Sequence, residues 1–464
     1  MVFSSTVFLF LFFPLVICGY YNPWIKTRNF RNIYLLFTSL AFYGWGEPVF
    51  VFVMLFSIFV NWVLGIKVSE NSKKKIYLWI AVVYNIGLLV IFKYLSFISE
   101  NISLLFKKEE WVIKIALPIG ISFFTFQMLS YVFDVYYGNA KAAKNIIQVG
   151  LYVSMFPQLI AGPIVRYQTV AEEIVNRIEK KEEIIQGAER FIWGLGKKVM
   201  ISNYVGLIAD NLFALQKQER ISVASAWLGA ITYTLQIYFD FSAYSDMAIG
   251  LGKMFGFHFL ENFNYPYISK SIKEFWRRWH ISLSQWFRDY IYIPLGGNRD
   301  GEKKTIRNIF LVWLLTGIWH GANWTFLVWG LLYFLLLMLE NKTKFPEKLG
   351  WFSHIYTMFF VILAWVIFKA DSLTVAIRYI GNMFGIGAVS VTDNLFFSYM
   401  KQSWIILVVA MIGATPVVKN LYNNEKIPEI IKQIGEIVAI VLVAVISVFI
   451  TVKSTYNPFI YFNF

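Results

Sequence analysis

An all-α, polytopic integral membrane fold is what this 464-residue sequence predicts, on three observations. Hydrophobic residues make up 58% and charged residues only 15% of the chain, and the mean hydropathy of +0.57 is too high for a soluble globule of this length. Apolar runs near the length a bilayer crossing needs, about 20 residues, recur along the whole chain. A sheet with open edges cannot satisfy its backbone in lipid, so every crossing is expected to be helical.

The runs lie near residues 2–21, 33–66, 77–98, 115–137, 147–164, 222–250, 308–339, 355–368, 403–418 and 434–452. They lead to an expectation of about ten to twelve full or partial crossings. The first run has no basic leader and no small-residue cleavage site, so it reads as a retained helix rather than a signal peptide. Lys26, Arg28 and Arg31 follow it, and Lys67, Lys73, Lys74 and Lys75 follow the next, which puts those loops in the cytoplasm and the N-terminus outside. In the segment beginning Leu117-Pro118, the proline can occupy a first helical turn at little cost. Phe156-Pro157-Gln158-Leu159-Ile160-Ala161-Gly162-Pro163 instead puts two prolines and a glycine inside an apolar run, and reads as bent or re-entrant backbone beside a cavity.

Residues 166–190 form the longest hydrophilic stretch. Thr169 and Glu172 have capping-box spacing ahead of Ile174, Val175, Ile178, Ile184 and Ile185, so an amphipathic helix on the membrane face is expected, its charges a solvated face. A second interfacial helix is expected over 272–293. The polar stretch near 420–436, which holds Pro428, reads as a loop and then a short helix. No fixed-period repeat is visible and the halves share no pattern of broken helices, so residues 1–464 are expected to form one domain without the inverted repeats of many transporters.

The net charge is +14, carried by short loops between apolar runs. Membrane lipids with anionic headgroups, and not nucleic acid, are the expected partners of that charge. Cys18 is the one cysteine, which leaves no disulfide framework, thiol pair or zinc cluster, and it is expected to be a small packed apolar residue.

Two of the four histidines stand where ionisable groups are costly. His320 lies in Thr316-Gly317-Ile318-Trp319-His320-Gly321-Ala322-Asn323-Trp324, within the long apolar run 309–339. On a continuous helix Thr316 and Asn323 would flank it as orienters, while Gly317 and Gly321 would leave room for another helix or a thin substrate chain. Desolvation disfavours imidazolium, so a buried His320 is expected to be neutral and able to accept a proton as a general base. The alternative is a core histidine satisfied by a neighbouring helix.

His280 lies in Phe275-Trp276-Arg277-Arg278-Trp279-His280-Ile281-Ser282-Leu283-Ser284-Gln285-Trp286. On one helix it would sit beside Ser284, with an aromatic stripe that includes Trp276 and Trp279, and with Arg277 and Arg278 elsewhere around the axis. Aromatic belts and snorkelling arginines at headgroup depth explain most of that composition without chemistry, though a basic helix at a cavity also suits the phosphates of a nucleotide-like donor. Asp240 and Asp246 demand partners, for which Arg277, Arg278 or Lys253 are candidates, in an ion-pair lock rather than a catalytic role. Gly194-Leu195-Gly196-Lys197 and Gly250-Leu251-Gly252-Lys253 lack the strand context of a phosphate loop. His258 and His354 lack companions in sequence, and no metal-ligand cluster emerges.

Taken in order, the 117–127 segment, the Phe156–Pro163 segment, residues 236–246, residues 275–297, Trp319-His320-Gly321-Ala322-Asn323-Trp324 and the closing Asn457-Pro458-Phe459-Ile460-Tyr461-Phe462 resemble the membrane-bound O-acyltransferase (MBOAT) family. Within it they resemble the bacterial branch of alginate and peptidoglycan O-acetylation membrane proteins, nearly end to end. The resemblance implies a ring of tilted helices around a central tunnel or funnel in the inner membrane, with His320 as the catalytic histidine and His280 as the second of the pair. It also implies a cytoplasmic thioester donor, acetyl-coenzyme A, used as a substrate and not as a tightly bound cofactor. The receiver would be an extracytoplasmic partner, a polysaccharide O-acetyltransferase, that esterifies a cell-surface polymer. Competing readings are a polysaccharide-precursor transporter, a non-catalytic scaffold, and D-alanyl transfer to teichoic acid.

Overall fold

A computed structural model describes residues 1–70, 72–160, 162–218, 221–454 and 456–460. Ala161, Tyr461 and Phe462, which belong to the segments that carry the family resemblance, lie outside the described residues. Among the described residues all regular structure is helical, and six helices are long and apolar enough to cross a membrane: Phe50–Glu70, Lys74–Phe106, Trp324–Thr343, Phe352–Lys369, Asn394–Gly413 and Glu429–Lys453. The other apolar runs form helices that are shorter or less apolar than these. The 115–137 run becomes the 17-residue helix Ile121–Tyr137, nearly all of it buried by protein. The run from 147 is broken at Met155, ahead of Pro157 and the single turn Phe156–Leu159. Pro428 caps the 25-residue helix Glu429–Lys453, longer than the short helix expected there.

The chain gathers into two compact units. One comprises Met1–Phe191 and Tyr244–Glu261; the other comprises Ile192–Ala243 and Asn262–Ile460. In the first, Asn61 and Asn85 are wholly buried and satisfy each other, Asn85 Nδ2 donating to Asn61 Oδ1 at 2.7 Å, so two polar side chains lock neighbouring apolar helices. The expected amphipathic helix over 166–190 is instead two helices, Tyr167–Asn176 and Lys181–Gly196, and Thr169 lies inside the first without capping it. The break follows from Arg177, whose buried Nε donates to Phe255 O at 2.9 Å and whose guanidinium lies 4.3 Å from the Phe257 ring centroid.

Beside it, Glu179 accepts from Arg28 at 2.5 Å and Arg31 at 2.8 Å, and from the Tyr20 hydroxyl. Two of the loop cations assigned to lipid headgroups therefore face a protein carboxylate. Burial alone would raise the Glu179 carboxyl, but the bonds from Arg28 and Tyr20 and the nearby arginine charges outweigh it and hold the group at about 2. His258, expected to lack companions, meets Glu173 at 2.6 Å. Cys18 is exposed rather than packed.

In the second unit six helices build the region around the two histidines. They are α1 (Val223–Met254, its first part), α2 (Ile272–Arg278), α3 (Ile281–Phe287), α4 (Glu302–His320), α5 (Trp324–Thr343) and α6 (Phe352–Lys369). Both histidines stand at helix ends that the apolar periodicity does not show. The interfacial helix expected over 272–293 is broken at Trp279–His280, with His280 in the left-handed region at φ 45°, and it ends in a widened turn over Arg288–Tyr292. The apolar run 309–339 is not one helix either, since α4 ends at His320, Gly321 is extended, and Asn323 starts α5.

Candidate active site

The α4–α5 hairpin is closed by glycines. A Cβ on Gly317 would lie 2.6 Å from Phe326 O, and one on Gly330 would lie 2.6 Å from Trp313 O, so the two backbones meet with no side chain between them. Of the two uses expected for the space at Gly317 and Gly321, another helix or a thin substrate chain, it is the helix α5 that fills it: a Cβ on Gly321 would overlap the Phe326 ring at 2.2 Å. This close packing fixes His320 at the last residue of α4, where it is 4% exposed. Its imidazole lies edge-on to Trp329, Phe368 and Trp319, with centroids 5.0, 5.2 and 5.0 Å away.

Asn323 does not stand one turn along a helix from His320. Its Oδ1 accepts from Thr325 N–H at 3.1 Å, which caps α5, and its Nδ2 donates to Asp371 O at 2.8 Å. Thr316 keeps the expected i−4 position on α4, but its hydroxyl donates to Val312 O at 2.7 Å.

His280 stands at the break between α2 and α3 and is 1% exposed. Phe241 of α1 meets its ring edge-on at 4.6 Å, and Trp319 lies 6.1 Å away, so both histidines contact the Trp319 ring. Asn262 holds the break together. Its backbone O accepts from Ile281 N–H at 3.0 Å, and its Oδ1 takes Ser282 N–H at 3.1 Å, Ser282 Oγ at 2.9 Å and His280 Nδ1 at 3.2 Å. Loss of hydration pushes the His280 imidazole down to about 3.

The rest of α2 is anchored at both ends. Ser271 Oγ accepts from Glu274 N–H at 3.0 Å, and the buried carboxylate of Glu340 on α5 accepts from Ile272 N–H at 2.7 Å and Lys273 N–H at 3.1 Å. Arg278 pairs with Glu274 at 2.8 Å and donates to Asn264 O at 3.1 Å, which ties it into the local fold. Arg277 is exposed and lines a cavity of about 250 Å³ together with Lys273, Trp276, Ser284 and Thr316. The cavity is mostly apolar, and its cations, Lys273 and Arg277, are one helical turn apart on α2. Three of the candidate residues, Arg277, Ser284 and Thr316, thus share one cavity, whereas Arg278 and Asn323 are engaged in structural bonds.

The acidic pair has other partners than those expected. Asp240 of α1 meets Lys198 at 2.6 Å with both side chains almost wholly buried, and its second oxygen accepts from Ile460 N–H at 2.8 Å. Asp246 pairs with Arg190 at 2.9 Å. Lys198 also donates to Pro458 O, so the closing segment is clamped by the ion pair. Sequence reasoning did not single out Asn262, Glu340 or Lys198. The available signals were an asparagine between Phe259 and Phe263 ahead of Pro266, a lone carboxylate at the end of an apolar run, and a lysine beside a glycine motif set aside as a failed phosphate loop.

Both histidines fall within residues 143–377, which match the model of the membrane-bound O-acyltransferase family. The "Probable alginate O-acetylase" of Pseudomonas putida is 38% identical over 491 aligned positions that cover the whole of both chains. The chain belongs to the membrane-bound O-acyltransferase family. It is also 35% identical to the peptidoglycan O-acetyltransferase of Helicobacter pylori, over 84% of this chain and 81% of that one. The teichoic acid D-alanyltransferase of Bacillus subtilis is 30% identical over 50% of this chain and 61% of that one. As a member of this family the protein is a multi-pass membrane O-acyltransferase, and the two buried imidazoles within the matched region are its candidate catalytic groups.

Proposed function

We propose that this protein takes an acetyl group from a cytoplasmic thioester, acetyl-coenzyme A, and passes it across the bacterial inner membrane to an extracytoplasmic partner that O-acetylates a cell-surface polysaccharide. Alginate-like polymers and peptidoglycan are the acceptor classes that the relatives' names support. The observation that carries the reading is the pair of buried imidazoles that both contact the Trp319 ring, inside a wall of aromatic rings. Acyl transfer needs a base for the attacking hydroxyl, an oriented thioester carbonyl, and exclusion of the water that would hydrolyse it. His320 serves as the base. His280 orients a substrate, and the cavity edged by Lys273 and Arg277 suits the phosphates of the donor while its apolar wall suits the arm that carries the thioester.

D-alanyl transfer is the second reading, since a D-alanyltransferase matches part of the chain. Acetyl transfer is favoured because the alginate-type likeness covers the chain from end to end. The loop charges support an N-terminus outside the cell. Oriented membrane vesicles offered labelled acetyl-coenzyme A on the cytoplasmic face test the proposal. Label should appear on an acceptor at the opposite face only when this protein and its partner are both present. Transport of an intact polysaccharide precursor without thioester cleavage would contradict it.

A further inference from the structure

Asn262 Oδ1 receives a backbone N–H, from Ser282 at 3.1 Å, and a backbone amide can only donate. The atom facing it is therefore the carbonyl oxygen of Asn262 and not its amide nitrogen. The same oxygen lies 3.2 Å from His280 Nδ1, and an oxygen acceptor there requires Nδ1 to carry the hydrogen. We infer that Asn262 is a positioning residue that fixes His280 as the Nδ1–H tautomer, so that His280 meets substrate through the lone pair of Nε2 and receives a hydroxyl or amide hydrogen.

The consequence for the reaction is specific. A neutral imidazole protonated at Nδ1 cannot donate from Nε2, so His280 does not supply the hydrogen bond that would polarise the thioester carbonyl. Its chemistry suits the acceptor hydroxyl, or an N–H along the donor's arm. Burial, which disfavours the doubly protonated ring, works in the same direction. The left-handed backbone at His280 shows how firmly the geometry is imposed: φ 45° is costly for a residue with a Cβ, and Asn262 offsets that cost with its backbone and side-chain oxygens together. Ser282, which donates both N–H and Oγ to the same oxygen, keeps the asparagine from rotating.

This inference rests on the acyl-transfer reading for its catalytic meaning but not for its geometry, and the test separates the two. The chain has four histidines, so the intact protein labelled with 15N-histidine and held in lipid nanodiscs gives few imidazole signals, and His280→Gln identifies the relevant one. The expected spectrum shows His280 protonated at Nδ1 in the wild type and shifted toward the Nε2–H form in Asn262→Leu. Asn262→Asp, which keeps an oxygen in place, should restore the Nδ1–H form. Coenzyme A release should fall by about 100-fold in kcat for Asn262→Leu with KM little changed, and recover in part with Asp. An Nε2–H signal for His280 in the wild type would overturn the inference even if the leucine variant does not fold. A correct tautomer in a protein that releases no coenzyme A would leave the positioning intact and sink the acyl-transfer reading instead.

Discussion

His320 owes its position to the residues that end its helix. Gly321 adopts an extended backbone, Asn323 begins α5, and the imidazole is left among Trp319, Trp329 and Phe368, with little exposure to water. Replacing His280 with glutamine is expected to lower turnover while the fold persists, because the Asn262–Ser282 bonds remain; thermal stability and kcat measured on one preparation separate the effects. The buried ion pair behaves differently. Lys198→Met leaves Asp240 buried without its cation, and a loss on the order of 3–5 kcal/mol is expected, read as a lower melting temperature in detergent. A Lys198→Met, Asp240→Leu double variant should recover much of that loss, since the costly unpaired carboxylate is gone.

At the scale of elements, the α4–α5 hairpin sets the geometry of His320 through contacts that admit no side chain. Gly330→Val is expected to cost about 1–3 kcal/mol by overpacking against Trp313 O, and to lower activity with it. Gly87→Ala is the control: open space surrounds that helical glycine, so its melting temperature should hold or rise slightly. The break between α2 and α3 is the feature that periodicity could not reveal. Residues 272–293 read as one amphipathic helix because their aromatics recur at helical spacing, yet Asn262 supplies bonds from a distant segment that make a left-handed His280 favourable. The same limit applies to Asn323, whose i+3 register with His320 assumed that α4 continued. Local pattern identified the residues, and tertiary bonding decided what they face.

For the molecule as a whole, the helical class and membrane character were legible because bilayer burial is written directly into composition. The ends of the helices were less legible, since the 115–137 run begins its helix only at Ile121 and the run from 147 breaks at Met155, and composition does not set those ends. The histidines stood out as expensive groups in apolar sequence, whereas Asn262 and Lys198 act through partners far along the chain. Acid stability is a further whole-molecule property. Glu179 is held at about 2 against an ordinary 4.5, so the carboxylate contributes its full stabilisation above about pH 4.5 and loses it as pH falls toward 2. Melting temperatures measured down that range should drop more steeply for the wild type than for Glu179→Gln, which starts lower and lacks this titration. The central claim, that His320 is the base for acyl transfer, is tested most directly by purified protein, labelled acetyl-coenzyme A and the acceptor partner, comparing wild type with a folded, inserted His320→Ala. The account predicts that free coenzyme A appears with the wild type and that the alanine variant is slower by on the order of 10²–10⁴-fold. Release at the wild-type rate by His320→Ala would contradict it.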